Sequence, residues 1–154
     1  MHLKHHPNSR PRMTLEALNA ACKNTAMEVM GIEAISIDDE QVELRMPITN
    51  AARQPMGLVH GGVNMLLAET AASMHSAYLT DMTKEAPVGI EINGSHLRSA
   101  KDGTLKTVGR VLRRTSSLVF HQVDIYHLES GQLLCSARVT NFIKPLPGAN
   151  KTDR

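Results

Sequence analysis

The chain has 154 residues, with 17 Lys and Arg against 15 Asp and Glu, 42% hydrophobic and 21% charged residues. These values describe one ordinary globular domain and exclude general disorder. Two Phe, two Tyr and no Trp leave few rings for base stacking. The small basic excess sits at the ends, in Lys4, Arg10 and Arg12 and in Lys151 and Arg154 beside Asp153, so a pI near 8.7 makes no case for a nucleic-acid partner.

Cys22 and Cys135 form neither a CxxC pair nor a disulfide framework and read as free thiols in a reducing compartment. The first dozen residues are basic but lack the apolar run of a secretory signal. The most apolar stretch, 63–79, is interrupted by Asn64, Glu69 and His75 and falls short of a membrane span. The expectation is a soluble, cytoplasmic protein with no membrane contact.

Residues 1–13 read as a disordered tail, with Pro7 and Pro11 among polar positions. His2, His5 and His6 have no second ligand cluster to support metal binding. A helix is predicted from Thr14, its cap, to Met30, with Gly31 as its stop. Two short alternating runs follow, 32–37 and 42–47, joined by the turn Asp38-Asp39-Glu40. A polar loop then leads through His60-Gly61-Gly62 into the 63–79 segment. After Pro87 the period becomes two, predicting strands over 88–98, 104–113, 118–128 and 132–143. Asp102-Gly103 and Ser130-Gly131 read as hairpin turns between them. Residues 14–145 form one domain, and 146–154 read as a flexible tail. The fold class is α+β, with an antiparallel sheet.

The 63–79 helix carries small or apolar residues on nearly every side, as a helix surrounded by protein would. Glu69 is its only acid, with no Lys or Arg within a turn, and an ionised carboxylate is costly to bury alone. Two readings are equally open on the helix alone: a structural carboxylate facing a cleft or an Arg from elsewhere, and a catalytic one. Gly61-Gly62 favour the second, because a helix start without side chains lets a ligand approach free N–H groups at the positive end of the dipole. His60 precedes Glu69 by nine residues, about 13 Å along a helix. Both can act on one carbonyl only if a second subunit supplies one of them, which calls for a two-fold dimer.

The run Gln54-Pro-Met-Gly-Leu-Val-His60-Gly61-Gly62, then Leu67-Ala68-Glu69-Thr70 and Ser73, resembles the hotdog-fold acyl-CoA thioesterases. The branch it resembles is the phenylacetate-pathway (PaaI-like) group, which includes Arthrobacter-type 4-hydroxybenzoyl-CoA thioesterases and 1,4-dihydroxy-2-naphthoyl-CoA hydrolases. The likeness continues through Gly89-Ile-Glu91-Ile-Asn93-Gly94-Ser-His96-Leu-Arg98-Ser99-Ala100 to Cys135-Ser136-Ala-Arg138. It implies a hotdog fold, a curved antiparallel sheet wrapped around a long central helix. It further implies a homodimer with shared active sites, paired again into a tetramer.

The resemblance also implies roles. Glu69 would be nucleophile or general base, and the Gly61 N–H would polarise the thioester carbonyl. His60 and Gln54 would orient the substrate, and Ser73 would help place water. Gly62, Gly89, His96, Leu97, Arg98, Ser99, Arg113, Arg114, Thr115, Ser116, Ser117 and Leu118 would line the coenzyme A and acyl channel. Relatives carry a His and a Gly-Ser or Gly-Arg where this chain has Arg113-Arg114-Thr115-Ser116-Ser117. Two arginines suit nucleotide phosphates, and they equally suit a solvated hairpin end.

The implied activity is hydrolysis of an acyl-CoA, aromatic or medium-chain. It needs no cofactor and no metal, since coenzyme A is part of the substrate. Met56, Leu58, Met65, Met74 and Tyr78 would wall a broadly specific acyl pocket. No GxSxG elbow, P-loop, GxGxxG or metal set occurs, and His75, His96, His121 and His127 are dispersed, with His121 and His127 as packing or surface residues. A MaoC-like hydratase would need an Asp followed by a His in a short helical motif that residues 55–75 lack. A non-catalytic acyl-CoA-binding module is the alternative of a different class.

Overall fold

A computed structural model describes residues 12–148. Residues 1–11 and 149–154 of the two expected tails, and with them His2, His5 and His6, lie outside the described residues.

The predicted first helix is two helices. Thr14 caps α1 (Leu15–Ala21), its hydroxyl accepting from the Ala17 N–H at 3.1 Å. The chain then turns at Asn24, whose φ is +59°, before α2 (Ala26–Met30) ends at Gly31 with φ +70°. Leu15, Leu18, Met27 and Met30 share a helical period across this break, so the apolar pattern hides it. The Asn19 side chain bonds the Ala34 backbone twice, at 2.8 and 2.9 Å, and fixes α1 to the sheet.

The sheet comprises β1 (Glu33–Ile37), β2 (Gln41–Pro47), β3 (Glu85–His96), β4 (Thr104–Arg114), β5 (Leu118–His127) and β6 (Leu133–Pro145). All pairs are antiparallel, in the order β1-β2-β4-β5-β6-β3. Asp102-Gly103 therefore does not close a hairpin between β3 and β4. β3 crosses to the far edge and pairs with β6, while β4 pairs with β2. Gly103, at φ +88°, instead receives the Ile48 N–H on its carbonyl and seats the start of β4 against the end of β2. Period-two patterning assigns the faces of a strand but not its neighbour, and a turn signal between two strands says nothing about which edge each one joins.

The central helix α3 (Gly61–Leu79) packs along the inner face of this sheet, against β2, β3, β4, β5 and β6. Val42, Leu44, Met46, Leu67, Leu105, Ile125 and Leu134 form the centre of the core. Small side chains allow the closeness: a Cβ on Gly109 of β4 would stand 3.4 Å from the Ala71 Cβ. No described helix is long and apolar enough to cross a membrane.

Candidate active site

Residues 50–60 form a compact loop that delivers the chain to α3. A 3-10 turn (Asn50–Ala52) is followed by a fold-back in which the Gln54 N–H donates to Leu58 O and the His60 N–H to Ala52 O, each at 2.8 Å. The Gln54 carbonyl and side-chain oxygen accept from the Gly57 and Met56 N–H groups. His60 is the N-cap of α3, and its Nδ1 accepts the Gly62 N–H at 2.8 Å. With Nδ1 accepting, the neutral ring carries its proton on Nε2, as a donor.

A Cβ on Gly61 would stand 2.9 Å from His96 Nε2, so the His96 imidazole lies against the helix start. The Asn64 amide donates to His96 Nδ1 at 3.3 Å, which again leaves the proton on Nε2. The buried Asn64 Oδ1 has no hydrogen-bond partner. Gly61, Gly62, His60 and His96 are thus brought together at one end of α3, and two imidazole N–H donors stand beside the helix N-terminus.

Glu69 stands eight residues further on, about 12 Å along the axis. Its carboxylate lies over Gly89 of β3, where a Cβ would come within 1.9 Å of Oε1. Ser73 Oγ donates to that Oε1 at 3.2 Å. Ser73 in turn accepts from Asn141 Nδ2 at 3.1 Å, and Asn141 Oδ1 accepts from Ser76 Oγ at 3.2 Å. Among the described residues Glu69 forms no ion pair, so no arginine from elsewhere neutralises it. One protomer does not bring Glu69 to Gly61.

The remaining predicted residues divide by position. Leu97, Arg98 and Ser99 are exposed just beyond β3, and the Leu97 and Arg98 N–H groups both donate to Leu134 O. Thr115 to Leu118 form the tight turn between β4 and β5, in which the Thr115 N–H donates to Leu118 O at 2.8 Å. Arg113 pairs with Phe120 and Arg114 with Val119, so strand alternation puts the two arginines on opposite faces. Arg113 lines a groove of about 450 Å³ on the face away from α3, with Arg138, Phe120, Glu91 and Asn93. Arg114 lies on the helix side, in the row Arg114–Val119–Asn141–Gly89 that ends beneath Glu69. The two arginines thus leave the sheet on opposite faces at the end of β4.

His75 and His121 are not dispersed, contrary to the sequence reading. Both are fully buried, and His121 Nε2 lies 3.0 Å from His75 Nδ1. His75 Nε2 donates to Asp38 O at 2.8 Å, which makes its Nδ1 the acceptor and His121 Nε2 the donor. Burial holds the His121 pKa down at about 3, helped by the neighbouring His75, and burial likewise lowers that of His75 against the pull of the Asp38 carbonyl. Sequence reasoning gave no role to Asn141, which bonds Ser73, or to Arg138, which lines the groove with Arg113. For Asn141 a signal existed: it is polar in the inward phase of β6, between Val139 and Ile143.

A model of the Thioesterase superfamily matches residues 56–135. The 1,4-dihydroxy-2-naphthoyl-CoA hydrolase of Escherichia coli is 37% identical over 132 residues, 86% of this chain and 96% of that protein. The proofreading thioesterase EntH of Cronobacter turicensis is 37% identical over 131 residues, 85% of this chain and 94% of that protein. A thioesterase crystal structure from Pseudomonas aeruginosa superposes with TM-score 0.84 at 33% identity, over 89% of this chain and 98% of its own. One from Haemophilus influenzae does so with TM-score 0.83 at 32% identity, over 90% and 95%. With its helix-wrapped antiparallel sheet, this chain belongs to the Thioesterase superfamily and is a hotdog-fold thioester hydrolase.

Proposed function

We propose that the chain hydrolyses an acyl-CoA, with Glu69 activating water or attacking the thioester itself, and with the partner subunit's Gly61 N–H receiving the developing oxyanion. The observation that carries this reading is Glu69: half-buried, without a counter-ion among the described residues, and held at a carboxylate oxygen by Ser73. A thioester is already activated, so one base and one oxyanion donor suffice, contributing roughly 10²–10⁴ and 10²–10³ in rate. In the water route Glu69 takes the proton, hydroxide adds to the carbonyl carbon, and the tetrahedral adduct expels the CoA thiolate. In the nucleophile route the carboxylate displaces the thiolate first, and water then cleaves the anhydride.

The shared site is supported by the edge strand. Among the described residues β3 is bonded on one side only, and its exposed stretch 88–96 is centred on Ile92. Two such edges paired antiparallel about Ile92 set Val88 opposite the partner's His96 and Gly89 opposite the partner's Ser95. That pairing carries the partner subunit's Gly61 to the level of Glu69. Val88 and Ile90 are 44% and 58% exposed in the single protomer, as an uncovered interface would be. Across this junction His60 and Gln54 orient the acyl group, and Leu97, Arg98 and Ser99 contact the pantetheine arm. Arg113, in its groove with Arg138, provides cationic surface for the nucleotide phosphates. No cofactor is required.

The test is release of free CoA thiol from benzoyl-CoA and from a medium-chain acyl-CoA, wild type beside Glu69→Gln. Turnover should fall by about 10² or more in the variant, with binding of CoA esters retained. A wild type that binds these esters without cleaving them would overturn this substrate assignment.

A further inference from the structure

We infer that Asn141 is a positioning residue for the Glu69 carboxylate, acting through Ser73; the inference rests on the catalytic reading of Glu69. Asn141 is fully buried in β6, flanked by the inward-facing Val139 and Ile143, and its cross-strand neighbours are Val119 and Gly89. A buried amide in an apolar row is costly unless both its ends are bonded. Here both ends go to α3: Nδ2 reaches Ser73 Oγ at 3.1 Å, and Oδ1 receives the Ser76 hydroxyl at 3.2 Å.

The direction of these bonds follows from the carboxylate. An ionised Glu69 only accepts, so at 3.2 Å the Ser73 hydroxyl must donate to it. That hydroxyl has one proton, so towards Asn141 it must accept, and the amide must turn its NH2 to Ser73 and its oxygen to Ser76. Glu69, Ser73 and Ser76 stand at i, i+4 and i+7 on one helix face, with Asn141 bridging the last two. A helical Ser or Thr hydroxyl ordinarily donates back to the carbonyl four residues earlier, and Thr70 does so, to Leu66 O at 2.7 Å. Ser73 does not take this default. Occupied on its acceptor side by Asn141, it spends its proton on the carboxylate and holds Oε1 over Gly89.

The experiment is a double-mutant cycle read in kcat and KM for benzoyl-CoA, with melting temperatures to verify folding. Asn141→Leu removes the donor, and Asn141→Asp keeps the shape while replacing a donor by an acceptor that competes for the Ser73 proton. Each should lower kcat by about 10-fold, the worth of a hydrogen bond to a charged group, with KM within about two-fold. In the Ser73→Ala background neither should lower kcat by more than a further two-fold or so, because the relay is already cut. The near-isosteric Asp variant decides the matter if the Leu variant fails to fold. Unchanged kcat in the folded variants, a loss confined to KM, or a full additional loss in the Ser73→Ala background would each overturn the inference. Glu69→Gln run in parallel separates the two levels: wild-type turnover in that variant overturns the catalytic reading beneath, whereas an inactive one beside an additive cycle overturns the role of Asn141 alone.

Discussion

In the sequence Gly89 stands out only as part of a family-like run, with a place in the substrate channel; in the fold, a side chain there would meet the Glu69 carboxylate first. A methyl group there would stand 1.9 Å from Oε1 and 2.8 Å from Cδ, while the opposing atoms belong to the free end of a flexible side chain. Gly89→Ala should therefore leave the melting temperature nearly unchanged while swinging the carboxylate away from its station. Displacing a reacting group by about 1 Å costs on the order of 10² in rate, so thiol release should fall by at least 10-fold. Undiminished turnover would show that the carboxylate works from another position. Residues such as Glu69, His60 and Gly61 are legible because helix-start chemistry and a lone acid stand out along the chain. Asn141 and His121 are harder: each is a polar residue in the inward phase of a strand, a pattern that signals burial but not the partner across the core.

At the level of elements, α3 is held to its surroundings by polar bonds as well as by packing. The line Asp38–His75–His121 ties the β1–β2 turn, the helix and β5 together at 2.8 and 3.0 Å. Both imidazoles are kept neutral, with pKa values below the ordinary 6.5 and about 3 for His121. Between pH 6.5 and about 3 the unfolded chain therefore binds more protons than the folded one. The stability this pair contributes is present above pH 6.5 and is lost as the pH falls, by up to about 1.4 kcal/mol per pH unit for each proton. His121→Gln keeps an N–H donor for His75 Nδ1 but does not titrate, so urea unfolding from pH 6.5 down to 4.5 should show a slope shallower by about one proton. Identical slopes would count against the pair as the source. The four late strands are readable from their period-two pattern to within a few residues, and β4, β5 and β6 each bury one face. The position of β3 is not, since its pairing with β6 spans the two intervening strands and rests on contacts no local turn encodes.

For the whole molecule, the 12 Å between Gly61 and Glu69 along α3 makes subunit mixing the decisive assay. Combining Glu69→Gln with Gln54→Ala protomers under conditions of subunit exchange should restore about a quarter of wild-type activity. Half the dimers are then mixed, and each mixed dimer holds one intact site beside one doubly altered site. No recovery despite exchange confirmed by mass would place the whole site within one chain.

The strand order has a consequence for how such a chain comes to be folded. β6, the last strand along the sequence, lies in the interior of the sheet, between β5 and β3. A chain growing from its N-terminus thus exposes β3 long before the strand that pairs with it has been made. β3 has no strand to pair with until β6 slots in, and that same insertion delivers Asn141 beneath Ser73. Closing the sheet and seating the carboxylate are, in this topology, one event.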